Sequence, residues 1–259
     1  MRRIPATAKI NLALLVGTPR SDGKHEVATV LQRIDLADRI SFEPSARLEI
    51  RGFPGDTLVH KALDALGVTG SVTIQKQIPV ASGLGGGSSD AAAALRLANE
   101  ALPDPLPPER LHEIAAGIGS DVPFFLAQGP QLGAGDGTEL SPVDLRQDYW
   151  VVLVLPKGAA KRSTAAVYEA FDRADGFEQR RAQLEKALAK GDLTALPPND
   201  LASSPIAHEL RELGAFRADV TGAGPAVYGL FSRRDRAEDA RRALARRGRT
   251  WLIVPTWYG

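Results

Sequence analysis

A run of glycine and small polar residues, Gly83-Leu84-Gly85-Gly86-Gly87-Ser88-Ser89, separates a predicted strand at Ser71–Gln75 from a predicted helix at Asp90–Ala101. Glycine has no Cβ, so a backbone of this kind can approach an anion closely. The free N–H groups at the start of the helix attract the same anion. Ser88 and Ser89 can cap the helix and bond phosphate oxygens or a magnesium ion. The run therefore predicts a phosphate-binding loop, and a glycine-rich connection without a ligand is the alternative.

Two common glycine motifs do not fit this run. A Walker loop ends in Gly-Lys-Ser or Gly-Lys-Thr, and no lysine follows Gly87. A dinucleotide fingerprint needs a third glycine at the position where this chain has Ser88. We therefore expect the loop to bind phosphate in a fold other than those that carry a Walker loop or a dinucleotide fingerprint.

Composition excludes several classes of function. The 259 residues carry a formal net charge of +1, so no global field favours nucleic acid or an acidic membrane. The chain has no cysteine, which excludes disulfides, thiolate metal sites and a cysteine nucleophile. No apolar segment follows the N-terminal arginines, and the longest apolar run, Trp150–Leu155, is too short to span a bilayer. We expect a cytoplasmic protein without nucleic acid or membrane partners.

Apolar periodicity predicts an α+β protein in two parts. At Ala8–Val16 the residues alternate, which places Lys9 and Asn11 on one face of a strand. Near residue 150 a strand-like run begins and is followed by helical patterns, which suggests domains at residues 1–149 and 150–259. Further strands are predicted at Val27–Ile34, Arg39–Phe42, Arg47–Arg51, Trp150–Leu155, Ala218–Val220, Ala226–Phe231 and Trp251–Pro255. Further helices are predicted at Leu58–Leu66, Glu109–Ile118, Thr164–Arg173, Gln179–Lys190, Ile206–Leu213 and Arg234–Arg246.

Residues 79–92 (PVASGLGGGSSDAA) resemble the ATP loop of the GHMP kinase superfamily. The extra glycine and the Ser-Ser-Asp ending resemble one family within it, the 4-diphosphocytidyl-2-C-methyl-D-erythritol kinases. Residues 8–12 (AKINL), 22–25 (DGKH) and 119–125 (GSDVPFF) resemble that family in the same order along the chain. Residues 221–224 (TGAG) resemble a late glycine turn common to the superfamily.

The resemblance implies a two-domain GHMP kinase fold, with a ribosomal-protein-like N-terminal domain, a ferredoxin-like C-terminal domain and a cleft between them. It implies transfer of a phosphoryl group from ATP, with Mg²⁺, to the 2-hydroxyl of a cytidine-diphosphate-linked methylerythritol in isoprenoid precursor biosynthesis. Lys9 and Asp121 are implied as the catalytic pair. From the chemistry of its hydroxyl, Ser88 is the expected metal ligand. The implied ATP-binding residues are Pro79, Val80, Ala81, Ser82, Gly83, Leu84, Gly85, Gly86, Gly87, Ser88 and Ser89.

Phosphoryl transfer depends mostly on positioning and charge stabilisation. An aspartate near the acceptor can take the hydroxyl proton, which is the role expected of Asp121. Lys9 can keep that aspartate ionised and stabilise charge on the transferring group. Without the resemblance, a solvated side chain is the usual interpretation of such a lysine, and a capping or turn residue is as good an interpretation of the aspartate as a catalytic one.

On the substrate side, the resemblance implies that His25 reads the cytosine ring and that Thr164 and Tyr168 lie beside it, with the tyrosine packed on the ring. Asn11 is expected to hydrogen-bond the acceptor. A surface histidine and an ordinary amphipathic helix are the alternatives at these positions. The chain departs from the family at Lys24, where a tyrosine is usual, and at Thr57, where an asparagine is usual.

Several functions are compatible with these residues. A GHMP kinase with another alcohol acceptor, of the homoserine or mevalonate type, is the main alternative: the Asp-Gly-x-His turn favours the cytidyl substrate, and Lys24 leaves room for the alternative. A nucleotide-binding module without catalysis and an RNA-binding protein are also open. The arginines after Arg234 are offset by Asp235, Glu238 and Asp239, so we interpret that helix as solvated. We expect a small-molecule substrate and a chain that is a monomer or a weak homodimer.

Overall fold

The computed structural model describes residues 2–158, 164–171 and 175–256. Its first half is organised by a long antiparallel hairpin of β1 (Arg3–Pro19) and β2 (His25–Pro44). Four shorter strands extend the sheet: β3 (Glu49–Arg51), β4 (Gly70–Gln75), β5 (Gln131–Ala134) and β6 (Glu139–Pro142). Their order is β3-β4-β2-β5-β6, and β1 pairs with β2.

Three helices and a short 3₁₀ segment belong to this half: α1 (Thr57–Leu66), α2 (Gly86–Glu100), α3 (Pro108–Ile118) and the 3₁₀ turn Pro123–Phe125. The side chain of Asp56 caps α1 by accepting hydrogen bonds from two backbone N–H groups. The alanine-rich α2 contacts β1, β2 and α1. Its small side chains let the helix lie close to the sheet, which fixes where its first turn points.

The second half begins with β7 (Trp150–Pro156) and forms a four-stranded antiparallel sheet with β8 (Arg217–Val220), β9 (Val227–Phe231) and β10 (Gly248–Ile253). The strand order is β10-β7-β9-β8. The helices of this half are α4 (Thr164–Glu169), α5 (Phe177–Ala189), α6 (Pro205–Glu212) and α7 (Arg234–Leu244).

One hydrophobic core joins the two sheets. Ile10 and Leu12 of β1 are fully buried in the same cluster as Val151 and Leu153 of β7 and Tyr228 of β9. Because both faces of β1 are covered, every residue from Ala6 to Gly17 is buried. The strand that carries the candidate catalytic lysine is therefore among the most enclosed parts of the protein.

The structure confirms the predicted α+β class and corrects several boundaries. The strands predicted at Val27–Ile34 and Arg39–Phe42 form one continuous strand, β2. Helix α2 begins at Gly86 and not at the predicted Asp90. The low helix propensity of glycine argues against a helix at Gly86 and Gly87, but the first turn of this helix accommodates both. The short strands β5 and β6 were not predicted, because glycine and turn-forming residues dominate the segment from 131 to 142. The domain boundary after residue 149 stays a prediction. Among the described residues, no helix is long and apolar enough to cross a membrane.

Candidate active site

A cavity of about 750 Å³ opens between the two halves of the protein. Volumes of this size hold small-molecule ligands. Its walls include Lys9 and Asn11 from β1, the loop of residues 79–88, Asp121, and the Gly222-Ala223 turn after β8. The cavity therefore gathers residues from the two halves and from most of the predicted site.

The glycine loop enters α2 through two residues in the left-handed region. Gly85 is the N-cap of α2 with φ +72°, and Gly83 has φ +84°. A Cβ on Gly85 would lie 2.9 Å from the ring of Phe125 and 3.1 Å from Cγ of Lys9. The N-cap residue is a glycine and has no side chain to cap α2, and the residues of the first turn from Gly86 to Ser88 line the cavity. This is the arrangement that binds anionic groups at a helix N-terminus.

Gly83 is also packed against the late glycine turn. A Cβ at this position would lie 2.6 Å from the carbonyl oxygen of Thr221 and 2.9 Å from that of Gly224. We expect Gly83→Ala to lower the free energy of unfolding by about 1–3 kcal/mol, because it adds both a clash and an unfavourable φ. Urea unfolding measures this loss.

The matched control for that substitution is Gly117→Ala near the end of α3, where a Cβ would meet nothing within 4 Å. Alanine favours a helix over glycine, so this variant is expected to gain about 0.5–1 kcal/mol. Equal losses in both variants would contradict the packing argument at Gly83.

Lys9 is held in place by a buried polar network. The residue is only 3% exposed, and its Nζ donates a hydrogen bond of 2.6 Å to Oδ1 of Asn11. Asn11 donates through Nδ2 to the hydroxyl of Thr29 at 2.8 Å, and its Oδ1 accepts a 3.2 Å bond from the hydroxyl of Thr221. Asn11, which Thr29 and Thr221 hold in place, thus fixes the position of the Lys9 ammonium group. Because the amide of Asn11 is engaged within the protein, its predicted contact with the acceptor stays a prediction.

Asp121 lies beside this network in the wall of the cavity. It follows α3 in a tight turn, in which Val122 N–H donates to the carbonyl of Gly119 at 3.0 Å. Its Oδ2 is 3.6 Å from Nζ of Lys9, and its side chain is 39% exposed. The carboxylate is therefore both paired with a buried cation and open to a ligand. The fold brings the two predicted catalytic residues together although they are distant in the sequence.

A second charged group lies beside the loop. Nζ of Lys76 donates to Oδ2 of Asp38 at 2.5 Å and to Oδ2 of Asp90 at 2.8 Å, and both carboxylates are fully buried. Burial raises the pKa of Asp90 to about 8, against the opposing effect of Lys76. Lys76 lines the cavity near Phe53, with Nζ 5.6 Å from the centre of that ring. No sequence signal indicated this lysine beyond its place just before the loop.

Two of the residues that line the cavity, His25 and Tyr168, carry aromatic rings. The ring centres of His25 and Tyr168 are 5.7 Å apart, and the ring of Phe171 lies edge-on to His25 at 6.4 Å. Burial raises the pKa of the Tyr168 hydroxyl. Thr164 begins α4, and its side chain lies outside the described part of the chain. The predicted pair of His25 and Tyr168 is thus adjacent in space, with Phe171 as an aromatic neighbour that no local pattern indicated.

Lys24 forms an ion pair with Asp136, which lies in the turn between β5 and β6. Burial disfavours the charged form of Asp136, but hydrogen bonds from Lys24 and Thr138 lower its pKa to about 2. The amine of Lys24 is therefore already engaged at the rim of the cavity. Thr57 is exposed, and the cavity wall is formed by its neighbours Asp56 and Leu58.

The two loop serines point in different directions. Ser88 lines the central cavity, whereas Ser89 is 2% exposed and lines a separate small cavity behind α2. The helical rotation of about 100° per residue produces this split. Of these two serines, Ser88 alone is placed to contact a phosphate or a metal ion by its side chain. Within the described residues, no group of three or more histidine or acidic side chains could hold a metal ion by itself.

Comparison with known proteins agrees with this geometry. The family model of the GHMP kinases N terminal domain matches residues 57–129, and that of the GHMP kinases C terminal matches residues 184–250. A 4-diphosphocytidyl-2-C-methyl-D-erythritol kinase from Moorella thermoacetica is 39% identical over 96% of this chain and 95% of its own length.

Solved structures extend the comparison. A crystal structure of 4-(cytidine 5'-diphospho)-2C-methyl-D-erythritol kinase superposes with a TM-score of 0.80 and 31% identity, and the match covers 100% of both chains. A mevalonate kinase from L. major, solved with R-mevalonate, has a TM-score of 0.73 at 17% identity over 100% of this chain and 97% of its own. At that identity the mevalonate kinase shares the fold alone. The predicted two-domain fold is thereby confirmed.

Proposed function

The chain belongs to the 4-diphosphocytidyl-2-C-methyl-D-erythritol kinase family of the GHMP kinases, and we propose that its central cavity phosphorylates the 2-hydroxyl of that cytidyl substrate with ATP. The observation that carries the proposal is the 3.6 Å contact between Lys9 and Asp121 beside the first turn of α2. A phosphate-binding helix end, a fixed cation and an open carboxylate are the parts that phosphoryl transfer needs.

Asp121 acts as the general base in this scheme. Its carboxylate takes the proton of the 2-hydroxyl while the new oxygen–phosphorus bond forms and the bond to the departing ADP oxygen breaks. Lys9, which is paired with Asp121, stabilises negative charge on the transferring phosphoryl group. Because the lysine is buried, this stabilisation is stronger than that of a lysine exposed to water. Asn11, Thr29 and Thr221 hold Lys9 in that position.

The nucleotide phosphates lie against the loop of residues 83–88, where the N–H groups of the first turn of α2 are available. Mg²⁺ fits the site, because this ion retains several waters and takes phosphate oxygens as ligands, so few protein ligands suffice. Ser88 lines the cavity, and its hydroxyl would hold the ion. The ion would neutralise charge on the phosphates.

The cytosine ring of the substrate lies beside His25 and packs on Tyr168 in this proposal. We expect Tyr168→Leu to raise KM for the cytidyl substrate about 10-fold or more, since stacking on a base contributes roughly 1–3 kcal/mol. KM for ATP should stay unchanged, because the expected ATP-binding residues are those of the glycine loop and Tyr168 is not among them. Steady-state kinetics with each substrate varied in turn measures both constants.

Tyr168→Phe is the control for that prediction, because it keeps the ring and removes only the hydroxyl. It should keep KM for the cytidyl substrate within about two-fold of the parent value. An unchanged KM in Tyr168→Leu would place the cytosine elsewhere in the cavity.

The function itself is tested by a coupled ADP-release assay across alcohol acceptors. Turnover is expected with 4-diphosphocytidyl-2-C-methyl-D-erythritol and is expected to be absent with homoserine and mevalonate. Turnover with either of the latter, and none with the cytidyl compound, would overturn the proposal. ATP binding without turnover of any acceptor would instead favour a non-catalytic nucleotide-binding module.

A further inference from the structure

Asn199 lies in the segment between α5 and α6 and is 8% exposed. Its side-chain amide donates two hydrogen bonds through Nδ2, to the carbonyl of Val220 at 2.9 Å and to that of Gly222 at 2.7 Å. Its Oδ1 accepts a 2.8 Å bond from the backbone N–H of Leu201. Both amide donors are therefore committed to the backbone that leads from β8 into the late glycine turn, residues 221–224.

The position of Asn199 is itself fixed through the backbone. Its N–H donates to Oδ2 of Asp219 at 2.9 Å, so β8 holds this residue. The next residue, Asp200, is tied to β1, because its N–H donates to the carbonyl of Leu14 at 2.8 Å and its Oδ2 accepts a 3.0 Å bond from the N–H of Val16. The pair of residues 199 and 200 thus joins β1 to the strand that leads into the glycine turn.

The turn that Asn199 holds packs beside Lys9. Gly222 has φ +58°, and a Cβ at this position would lie 3.4 Å from Nζ of Lys9 and 3.5 Å from Oδ1 of Asn11. The hydroxyl of Thr221 accepts a 3.0 Å bond from the N–H of Asn11 and donates a 3.2 Å bond to its Oδ1. Because interiors are closely packed, a displacement of this turn would displace the hydrogen bond between Lys9 and Asn11.

We infer that Asn199 is a positioning residue for phosphoryl transfer, which holds the carbonyl of Gly222 and through the turn fixes the ammonium group of Lys9. This inference rests on the proposed function of the central cavity. Asn199 does not line that cavity, so it acts without touching a substrate. Lys9 stabilises charge on the transferring phosphoryl group, and a displacement of about 1 Å at such a group can lower the rate about 100-fold.

Asn199→Ala should lower kcat about 30–100-fold and change KM for ATP and for the cytidyl substrate less than about five-fold. The reason for this split is that an interaction made only in the transition state changes kcat and leaves KM in place. Steady-state kinetics of the full chain, with each substrate varied in turn, measures these constants. A kcat within about three-fold of the parent value, or a loss confined to KM, would overturn the inference.

Asn99→Ala is the matched control. Asn99 is also 8% exposed, and its amide bonds the backbone of Leu106, with Nδ2 donating at 3.1 Å and Oδ1 accepting at 2.8 Å. It lies near the C-terminal end of α2 and does not line the central cavity. This variant should lose a similar amount of stability to urea but keep kcat within about two-fold of the parent value. Equal falls of kcat in the two variants would overturn the inference.

A second variant covers the case in which Asn199→Ala does not fold. Asn199→Ser keeps a hydroxyl that can donate one hydrogen bond, so it is the milder change. It should show the same fall of kcat at a nearly constant KM, and the same outcomes would contradict the inference.

The ammonium group of Lys9 gives a readout that does not depend on turnover. Because this group is buried and hydrogen-bonded, its protons should exchange slowly and give an NMR signal in a chain with isotope-labelled lysine, assigned by its loss in Lys9→Met. Asn199→Ala should shift or broaden this signal, and Asn99→Ala should leave it unchanged. A signal that is missing in the parent chain or unchanged in Asn199→Ala would overturn the inference. A parent chain without turnover would instead contradict the proposed function, and the signal would still decide whether Asn199 holds Lys9.

Discussion

Asp121→Asn should lower kcat about 1,000-fold, the effect expected when a general base is removed from a proton transfer. The asparagine has the same shape as the aspartate but cannot accept the hydroxyl proton, and it no longer pairs with Lys9, whose Nζ lies 3.6 Å away. The dissociation constant for ATP should change little, because the loop and the first turn of α2 keep their geometry. Steady-state kinetics and nucleotide titration separate the two effects.

The control for this prediction is Asp104→Asn, at an exposed aspartate in the segment before α3. It removes the same charge from the protein at a position outside the cavity, so kcat should stay within about two-fold of the parent value. If Asp121→Asn retains more than about a tenth of the parent kcat, Asp121 does not act as the base.

Arg217→Met should lower the free energy of unfolding by about 3–5 kcal/mol, the loss expected when one partner of a buried charged network is removed. Arg217 is 7% exposed and connects the two halves of the protein. Its Nη1 donates to the carbonyls of Leu193 and Leu196, and its Nη2 donates to those of Pro197 and Leu12. The methionine would leave these carbonyls without the charged donor.

Asp219 adds to the same loss. Its Oδ2 lies 3.9 Å from Nη2 of Arg217, and burial raises the pKa of this carboxyl. Without Arg217 the buried carboxylate loses its nearest cation. Urea unfolding measures the total change, since the transition midpoint falls while the slope stays constant if the fold is unchanged.

Arg211→Met is the matched control, because Arg211 is exposed and donates one hydrogen bond of 2.6 Å, to the carbonyl of Ala218. Its loss should be about 1 kcal/mol. Similar losses in the two variants would mean that the network around Arg217 does not hold β1 on the second half of the protein.

Much of the candidate site could be predicted from local sequence. The glycine loop, the strand carrying Lys9 and the turn carrying Asp121 each have a short-range signature, because glycine content, alternation and turn residues constrain the backbone within a few positions. The same signatures could not predict that Lys76 would lie beside the loop or that Phe171 would lie against His25. Those positions have ordinary local patterns.

The sequence by itself predicted a phosphate-binding loop before a helix and a mixed α+β fold, and it contained a lysine and an aspartate that match a known family pattern. The tertiary structure decided that Lys9 is buried, because both faces of β1 are covered by the two halves of the protein. It also decided that the hydroxyl of Thr221 donates a hydrogen bond to Oδ1 of Asn11, 210 positions away in the sequence. Likewise, it decided that Ser89 lines the small cavity behind α2 and not the central one. Local patterns constrain neighbouring residues along the chain, whereas burial and long-range partners depend on how distant segments pack.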